Sequence, residues 1–177
     1  MGWLGWSLVI LGLLAGLVST LTIVGAFLPR DHVASRELNL KRPPAEVWKL
    51  LRDAPTWPTW WKTLKSVESL PERNGSPAFR LVYANGRNQF DLTMIKANEP
   101  TEIVTKIDDV NKMFEGTWTW SISPTAEGCI VRLTENGSIP NPFFRCMAKM
   151  MMNPAMYIEM NLKDLALLHG EEPNLRP

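Results

Sequence analysis

The chain has 177 residues, with 19 Lys and Arg, 18 Asp and Glu and a formal net charge of +1. This balance gives no electrostatic reason to expect nucleic acid as a partner, because binding to phosphates needs a basic run or patch. The cysteines Cys129 and Cys146 lack the C-x-x-C spacing of a zinc or redox motif, so we expect free, buried thiols in a reducing cytoplasm.

An apolar segment, residues 3–28, contains no charged residue and is followed by Pro29 and Arg30. As a helix it would be about 39 Å long, at about 1.5 Å per residue, which is enough to cross a hydrocarbon core of about 30 Å. A signal peptide has a shorter apolar region, of about 7 to 15 residues, after a basic start. We therefore expect residues 1–29 to be a retained transmembrane anchor, and cleavage near Val24-Gly25-Ala26 is the alternative.

Basic residues flank only the C-terminal side of this span, at Arg30, Arg36, Lys41 and Arg42. Lys and Arg resist translocation when they lie within about 15 to 20 residues of a span. The distribution predicts a single-pass membrane protein whose globular domain faces the cytoplasm.

Two glycines inside the span, Gly12 and Gly16, form a G-x-x-x-G pair. Small residues at this spacing let two membrane helices approach closely. Glycine is also common in membrane helices in general. A weak homodimer through this face therefore stands beside a monomeric anchor as an alternative.

The elements after the span begin with a predicted strand, residues 32–41. Pro43-Pro44 then marks the start of a helix, since proline is tolerated at the first helical position. A short helical turn holds Trp57, Trp60 and Trp61. We expect these rings to pack onto the sheet, with Trp60 or Trp61 exposed, because adjacent residues of a helix cannot both face inward. Gating of a cavity, or contact with the membrane, is the alternative role for these rings.

From residue 64 onward the polarity alternates with period two, and turn signals divide the segment into six further, mostly antiparallel strands. On three of these strands one face is apolar. Its residues are Phe79, Leu81, Tyr83, Phe90, Leu92, Met94, Phe114, Gly116, Trp118, Trp120 and Ile122. The sheet therefore has one face that another element must cover.

Residues 141–169 have an apolar side with helical period and predict a long C-terminal helix. Pro154 should kink or interrupt this helix, with Asn153 capping its second half. The apolar side is rich in methionine, which fills irregular space and adapts to variable partners. These residues are Met147, Met150, Met151, Met152, Met156 and Met160. Both a padded core and an adjustable ligand lining are consistent with that composition.

The segment from Arg42 to Glu68, RPPAEVWKLLRDAPTWPTWWKTLKSVE, resembles the opening of START-like polyketide cyclase/dehydrase domains of the SRPBCC superfamily. In these domains a strand leads into a P-x-x-V-W helix and a W-P-x-W-W turn. The segment LTENGSIPNPFFR, which ends at Arg145, resembles members that carry an N-terminal membrane anchor. The resemblance covers residues 30–170, which we take as the domain, with 171–177 as a tail.

The resemblance implies an α+β helix-grip fold, in which a seven-stranded curved antiparallel sheet wraps around a long C-terminal helix and leaves an apolar cavity. The superfamily hosts binding proteins, lipid carriers and enzymes alike, and because the sequence shows no catalytic constellation we expect the cavity to bind a hydrophobic small molecule or lipid, without covalent chemistry. The expected ligand-binding residues are Phe79, Leu81, Tyr83, Phe90, Leu92, Met94, Trp118, Trp120, Met147, Met150 and Met151. We expect no metal and no cofactor, because the sequence has no metal-binding, P-loop or dinucleotide motif.

Two other classes of function remain open. A cyclase/dehydrase-type enzyme would use Tyr83, Arg132 or Glu115 for proton transfer, and a structural or interaction module would have a filled core. A perturbed acid or base that faces the cavity would favour the enzyme, and the absence of a cavity would favour the structural or interaction module.

Residues for catalysis are hard to find in the sequence. His32 lies next to the membrane and His169 at the end of the last helix, and neither is near a nucleophile motif. Four charged strand residues are expected on a solvated outer face, and Arg132 is the one whose register could turn it inward. They are Asp91, Glu115, Arg132 and Glu135.

Overall fold

The computed structural model describes residues 2–84, 89–108, 113–151, 153 and 155–177. The helices are α1 (Trp3–Phe27), α2 (Pro44–Arg52), α3 (Pro142–Met151) and α4 (Met156–Leu168), and a 3-10 helix spans Ala54–Thr59. The strands are β1 (Asp31–Leu40), β2 (Leu64–Arg73), β3 (Ser76–Tyr83), β4 (Gln89–Asn98), β5 (Glu102–Asp108), β6 (Glu115–Thr125), β7 (Gly128–Ser138) and β8 (Leu175–Arg176).

The strands form one antiparallel sheet in the order β2-β3-β4-β5-β6-β7-β1-β8. Strands β2 to β7 follow one another as neighbours, and β1 pairs with β7 along its whole length. The seven predicted strands and the helix-grip architecture are confirmed. The eighth strand lies in the predicted tail and pairs Leu175 with Leu38 and Arg176 with Glu37. Two residues carry no periodic signal, so β8 was not predicted.

The inner face of the sheet is the predicted apolar face, and α4 packs against it. On α4 the side chains of Ile158, Leu162 and Leu165 are fully buried. Burial of one such side chain is worth about 1.5–3 kcal/mol relative to exposure, so this contact fixes α4 on the sheet. An ion pair between Arg36 of β1 and Glu159 of α4, at 2.9 Å, sets the position of the helix along the strand.

The tryptophans after α2 are buried together. Trp60 is 4% exposed and Trp61 is 1% exposed, so the prediction that one of them faces solvent was wrong. The 3-10 helix ends at Thr59, and Trp60 has φ −129° and ψ −29°, so the helical spacing of adjacent side chains does not apply there. Their rings stack with centroids 5.9 Å apart, and both enter the core.

The predicted C-terminal helix is two helices, and the break lies where Pro154 was expected to interrupt it. Pro154 and Met152 are outside the described residues. Asn153 has the predicted capping role, because its Oδ1 accepts a hydrogen bond from the Ala155 amide at 3.0 Å. The amphipathic segment is thereby divided between two partners, since α4 packs on the sheet and α3 packs on α1.

The junction between α1 and α3 is held by the guanidinium of Arg145. Its Nη1 donates to the carbonyls of Gly25 at 3.2 Å and Leu28 at 3.0 Å, while Nε donates to Ile139 and Nη2 to Pro140. The last carbonyls of a helix have no partner within the helix, and a cation is favourable at that end. Arg145 therefore caps α1 and ties it to the start of α3.

Gly25 allows α3 to approach α1 closely. A Cβ at Gly25 would overlap the carbonyl oxygen of Pro142 and would lie 3.3 Å from the Cβ of Cys146. Asn141 defines the first turn of α3, because its Oδ1 accepts a hydrogen bond from the Phe143 amide at 2.9 Å.

Candidate ligand-binding site

The strand residues that were predicted to line a cavity lie together on the inner face. Phe79 is the cross-strand neighbour of Leu92, and Leu81 is the neighbour of Phe90. The ring of Phe90 meets that of Tyr83 edge-on, with centroids 5.8 Å apart. The buried members are Phe79, Leu81, Tyr83, Leu92, Met94, Trp118 and Trp120, and Phe90 is half-buried.

The methionines of the predicted lining lie elsewhere. Met147 is half-buried on α3, while Met150 is 71% and Met151 is 75% exposed. The helix break separates these residues from α4, so the structure does not bring them to the inner face. The helical side of the interior consists instead of α4 residues, among them Tyr157 and Leu162.

Tryptophan rings occupy the space between the sheet and the helices. The ring centroid of Trp61 lies 5.6 Å from that of Trp57, 5.9 Å from that of Trp60 and 5.8 Å from that of Trp118. These rings connect the 3-10 helix to β6, and aromatic pairs at such distances add to the stability from area burial alone.

Two concavities lined by described residues lie outside this interior. One, of about 150 Å³, is on the outer face of the sheet around Arg132 and Glu37. The other, of about 440 Å³, is open to solvent between Pro43-Pro44 and the turn from Pro124 to Gly128. Neither contains a predicted binding residue.

Three buried hydrogen-bond donors in the interior have no partner among the described residues. They are the indole Nε1 of Trp60, the indole Nε1 of Trp61 and the side-chain amide nitrogen of Asn161 on α4. An unpaired buried donor costs about 1–3 kcal/mol, and such a group needs an explanation such as a bound water or ligand. The interior therefore offers donors to a molecule that carries an acceptor.

A polar group also lies on the inner face, centred on Glu135. The carboxylate is 7% exposed, and its Oε1 lies 3.0 Å from Nε2 of His32. Its Oε2 accepts a hydrogen bond from the indole Nε1 of Trp118 at 2.5 Å. Thus β1, β6 and β7 each contribute one side chain to this arrangement.

The prediction that Glu135 faces solvent was wrong. On β7 the side chains of Val131, Leu133 and Glu135 share the buried face, whereas Arg132 points outward and pairs with Glu37. The same alternation could have placed Glu135 inward from the sequence. The expectation that a carboxylate avoids the core outweighed it, because a buried charge needs partners that the sequence did not reveal.

Gly137 provides the room for the imidazole of His32. The two residues are cross-strand partners, and a Cβ at Gly137 would lie 2.6 Å from Nε2 of His32 and 2.8 Å from Cε2 of Phe114. The rings of His32 and Phe114 lie 5.9 Å apart and tilt by 51°. The missing side chain thus lets the imidazole extend over β7 to Glu135.

Tyr83 is a neutral phenol in this environment. Burial raises the pKa of Tyr83 well above its usual range, and the neighbouring acidic groups of Tyr157 and Glu135 raise it further. The hydroxyl group therefore remains a hydrogen-bond donor at any physiological pH.

The other residues of the enzymatic alternative are not assembled with Tyr83. Arg132 lies on the outer face, and Glu115 is exposed at the start of β6. Asp91 also lies on the outer face, where two guanidinium groups cover its carboxylate. Its Oδ1 lies 2.8 Å from Nε of Arg80, and its Oδ2 lies 2.6 Å from Nη2 of Arg73. Burial acts to raise the pKa of Asp91, but the hydrogen bonds from the two guanidinium groups hold it below its usual value.

The cysteines are free and buried, as predicted. Burial, with negative charge at Glu171 and Glu46, raises the pKa of Cys129 to about 11. Within the described residues, no three His, Cys, Asp or Glu side chains are grouped so that they could hold a metal ion.

A curved antiparallel sheet around a C-terminal helix, with an apolar inner face, defines the helix-grip class of proteins. Residues 31–166 match the model of the polyketide cyclase / dehydrase and lipid transport family, and the chain belongs to this family. The predicted resemblance is thereby confirmed. Membership supports either the binding of a hydrophobic ligand or a cyclase role.

Solved structures share the fold at low sequence identity. The ginseng major latex-like protein 151 from Panax ginseng has a TM-score of 0.64 at 10% identity, over 80% of this chain and 97% of that one. A truncated norcoclaurine synthase from Thalictrum flavum has a TM-score of 0.63 at 11% identity, over 78% and 93% of the two chains.

The di-domain ARO/CYC StfQ of the steffimycin biosynthetic pathway has a TM-score of 0.58 at 14% identity. The match covers 76% of this chain and 49% of StfQ, which is about half of that protein. No curated protein sequence matches the chain.

The N-terminal helix is a candidate membrane span. The stretch Gly5–Phe27 is long and apolar enough to cross a bilayer, and 6% of its most apolar window is buried against the rest of the protein. A signal sequence near the N-terminus, or the buried core helix of a soluble protein, meets the same criteria of length and hydropathy.

Proposed function

We propose that this protein is a membrane-anchored binding protein for a hydrophobic small molecule or lipid, which it holds between the inner face of the sheet and α4. One observation carries the proposal. The apolar inner face encloses the buried N–H groups of Trp60, Trp61 and Asn161, which have no partner in the described part of the chain. A family that includes lipid transport proteins is consistent with such a role.

The rings of Trp60 and Trp61 are the groups that a ligand would displace or contact. Their N–H groups are buried, and no residue in the described part of the chain accepts a hydrogen bond from them. A ligand acceptor that binds them gains a hydrogen bond at no further desolvation cost to the protein. An apolar ligand with one or two acceptor atoms fits this environment.

The anchor in this proposal is α1. Three of its hydroxyl side chains, those of Ser7, Thr20 and Thr22, each donate to the backbone carbonyl four residues earlier in the helix. This is the arrangement that a bilayer requires, because hydrocarbon offers no partner for a polar group. The basic residues after α1 favour a domain that faces the cytoplasm.

Helix α3 lies beside this anchor and exposes apolar side chains. Phe144, Met150 and Met151 are exposed, and Arg145 holds the helix against the end of α1. With α1 in the bilayer, α3 lies at the membrane surface, where such side chains enter the boundary between headgroups and acyl chains. The bilayer is then the source of the ligand.

The test is binding of a fluorescent fatty-acid analogue to the full chain in lipid nanodiscs, with empty nanodiscs as the blank. Leu92 lies in the centre of the inner face. The variant Leu92→Trp should abolish binding, because the larger side chain fills the site. Met151→Trp is the matched control, since Met151 is exposed on α3, and it should bind as the wild type does.

A second variant is needed in case Leu92→Trp does not fold, because overpacking can cost about 1–3 kcal/mol of stability. Trp60→Phe removes one N–H that no described residue binds and leaves a small cavity, and it should weaken binding of the analogue while lowering the melting temperature only modestly. Wild-type affinity in a folded Leu92→Trp protein would contradict the proposed site.

A further inference from the structure

The polar group around His32 lies at the end of the inner face that is nearest to α1. β1 begins at Asp31, directly after the end of α1 at Phe27. Its partner strand β7 ends at Ser138 beside it. His32 and Glu135 therefore lie where a ligand from the membrane would first meet the interior.

The hydrogen bonds of Glu135 determine the tautomer of His32. A carboxylate only accepts hydrogen bonds, and its other oxygen is already bound by the N–H of Trp118. In the neutral imidazole Nε2 must therefore carry the proton and donate it to Oε1 of Glu135. The remaining nitrogen, Nδ1, has a free lone pair and is a hydrogen-bond acceptor.

No described residue donates to Nδ1 of His32, and the side chain is 25% exposed. The surroundings are apolar, because Phe114 lies against the imidazole and Gly137 lies beneath it. An acceptor in such a place gains from a donor more than it would in open water.

We propose that Nδ1 of His32 accepts a hydrogen bond from a hydroxyl group of the ligand, so that the site selects hydrophobic phenols, enols or alcohols over their ethers. This inference rests on the proposed function, since it assigns the polar end of the same ligand. Glu135 is a positioning residue that acts through His32. No covalent bond forms or breaks in this recognition.

The experiment compares 2-naphthol with 2-methoxynaphthalene, which have the same ring system but differ in the ability to donate. Both are titrated into the full chain in nanodiscs. The wild type should bind 2-naphthol about 10- to 100-fold more tightly, as expected for a desolvated acceptor that the ether leaves unpaired. His32→Phe should lose this preference and keep its affinity for the ether. His169→Phe is the matched control, because it replaces the second histidine at the far end of α4, and it should keep the preference.

Glu135→Gln gives an independent readout. Because Trp118 can only donate, the amide oxygen of the new side chain should face Trp118 and its NH2 group should face His32. The imidazole would then hold its proton on Nδ1, which converts the acceptor into a donor. The ratio of the affinities for 2-naphthol and 2-methoxynaphthalene should fall to about 1 or invert in favour of the ether. The ¹⁵N NMR shifts of His32 should report the exchanged tautomer.

The outcomes separate the two proposals. Equal affinity of the wild type for the two naphthalenes, or a preference that survives in His32→Phe, would overturn the hydroxyl site and leave the binding function intact. If the wild type binds neither of the two naphthalenes nor the fatty-acid analogue, both the hydroxyl site and the proposed binding function are overturned.

Discussion

Two buried carboxylates, Glu135 and Asp91, lie on opposite faces of the sheet and are satisfied differently. Asp91 is surrounded by the guanidinium groups of Arg73 and Arg80, whereas Glu135 has an imidazole and an indole as partners. A full charge pair is typical of structural stabilisation, and a carboxylate that orients a histidine is typical of a functional site. Their faces follow from strand alternation, but their partners lie on other strands and could not be predicted.

The stability that Asp91 contributes should depend on pH in a defined direction. Its pKa is lowered in the folded protein, so the contribution is fully present above the unfolded value of about 3.9 and is lost as the pH falls through the lower folded value. Asp91→Asn should destabilise the protein by about 1–3 kcal/mol at pH 7, because two guanidinium groups lose the negative charge and one of the two acceptor oxygens of the carboxylate.

Thermal melting of the full chain at pH 7 and near pH 3 measures this difference. The difference in melting temperature between the wild type and Asp91→Asn should be smaller at the lower pH. Glu72→Gln, at an exposed carboxylate of β2, is the control and should show no gap at either pH. A gap that stays constant on acidification would show that the charge of Asp91 contributes nothing.

At the scale of elements, the C-terminal segment shows what an amphipathic pattern can and cannot predict. The pattern predicted the helical residues and Pro154 predicted the interruption. The pattern does not identify the partner of each half, because a helix with one apolar side packs equally well on a sheet or on another helix. The signals that α3 belongs to α1 are Arg145 and Gly25, which act through backbone carbonyls and close approach.

The contact between α1 and α3 is testable through Cys146, which is buried between them. Gly25→Leu should push α3 away and raise the rate at which a maleimide labels Cys146, by about 10- to 100-fold for an overpacking cost of about 1–3 kcal/mol. Gly12→Leu is the matched control, since nothing lies within 4 Å of a Cβ at Gly12.

Cys129 lies in the sheet core and should stay unlabelled in both variants, which shows that the domain remains folded. Equal labelling of Cys146 in Gly12→Leu and Gly25→Leu would mean that α3 does not pack on α1 in the membrane. A weak homodimer through Gly12 and Gly16 remains an alternative to a monomeric anchor.

At the scale of the whole molecule, the order of elements in the sequence was sufficient to predict the fold. One strand, two short helices, an antiparallel series and an amphipathic C-terminus have few compact arrangements, and the motif at Arg42 to Glu68 selects one. The proposed binding site is less predictable. The strand residues of the site follow from the alternation of polarity along each strand. The helical residues depend on where the last helix breaks, and the tryptophan rings do not follow the helical spacing that the sequence analysis assumed.

The central claim is that the membrane-anchored domain carries a hydrophobic molecule inside the sheet. Mass spectrometry of an organic extract, prepared from the full chain purified in detergent, tests it most directly. An anchor-only control, residues 1–29 joined to an unrelated soluble domain, accounts for lipids that adhere to α1. The wild type should yield one hydrophobic compound at about one molecule per chain, which is absent from the control and from Leu92→Trp. An extract with the same lipid composition as the control would contradict the claim.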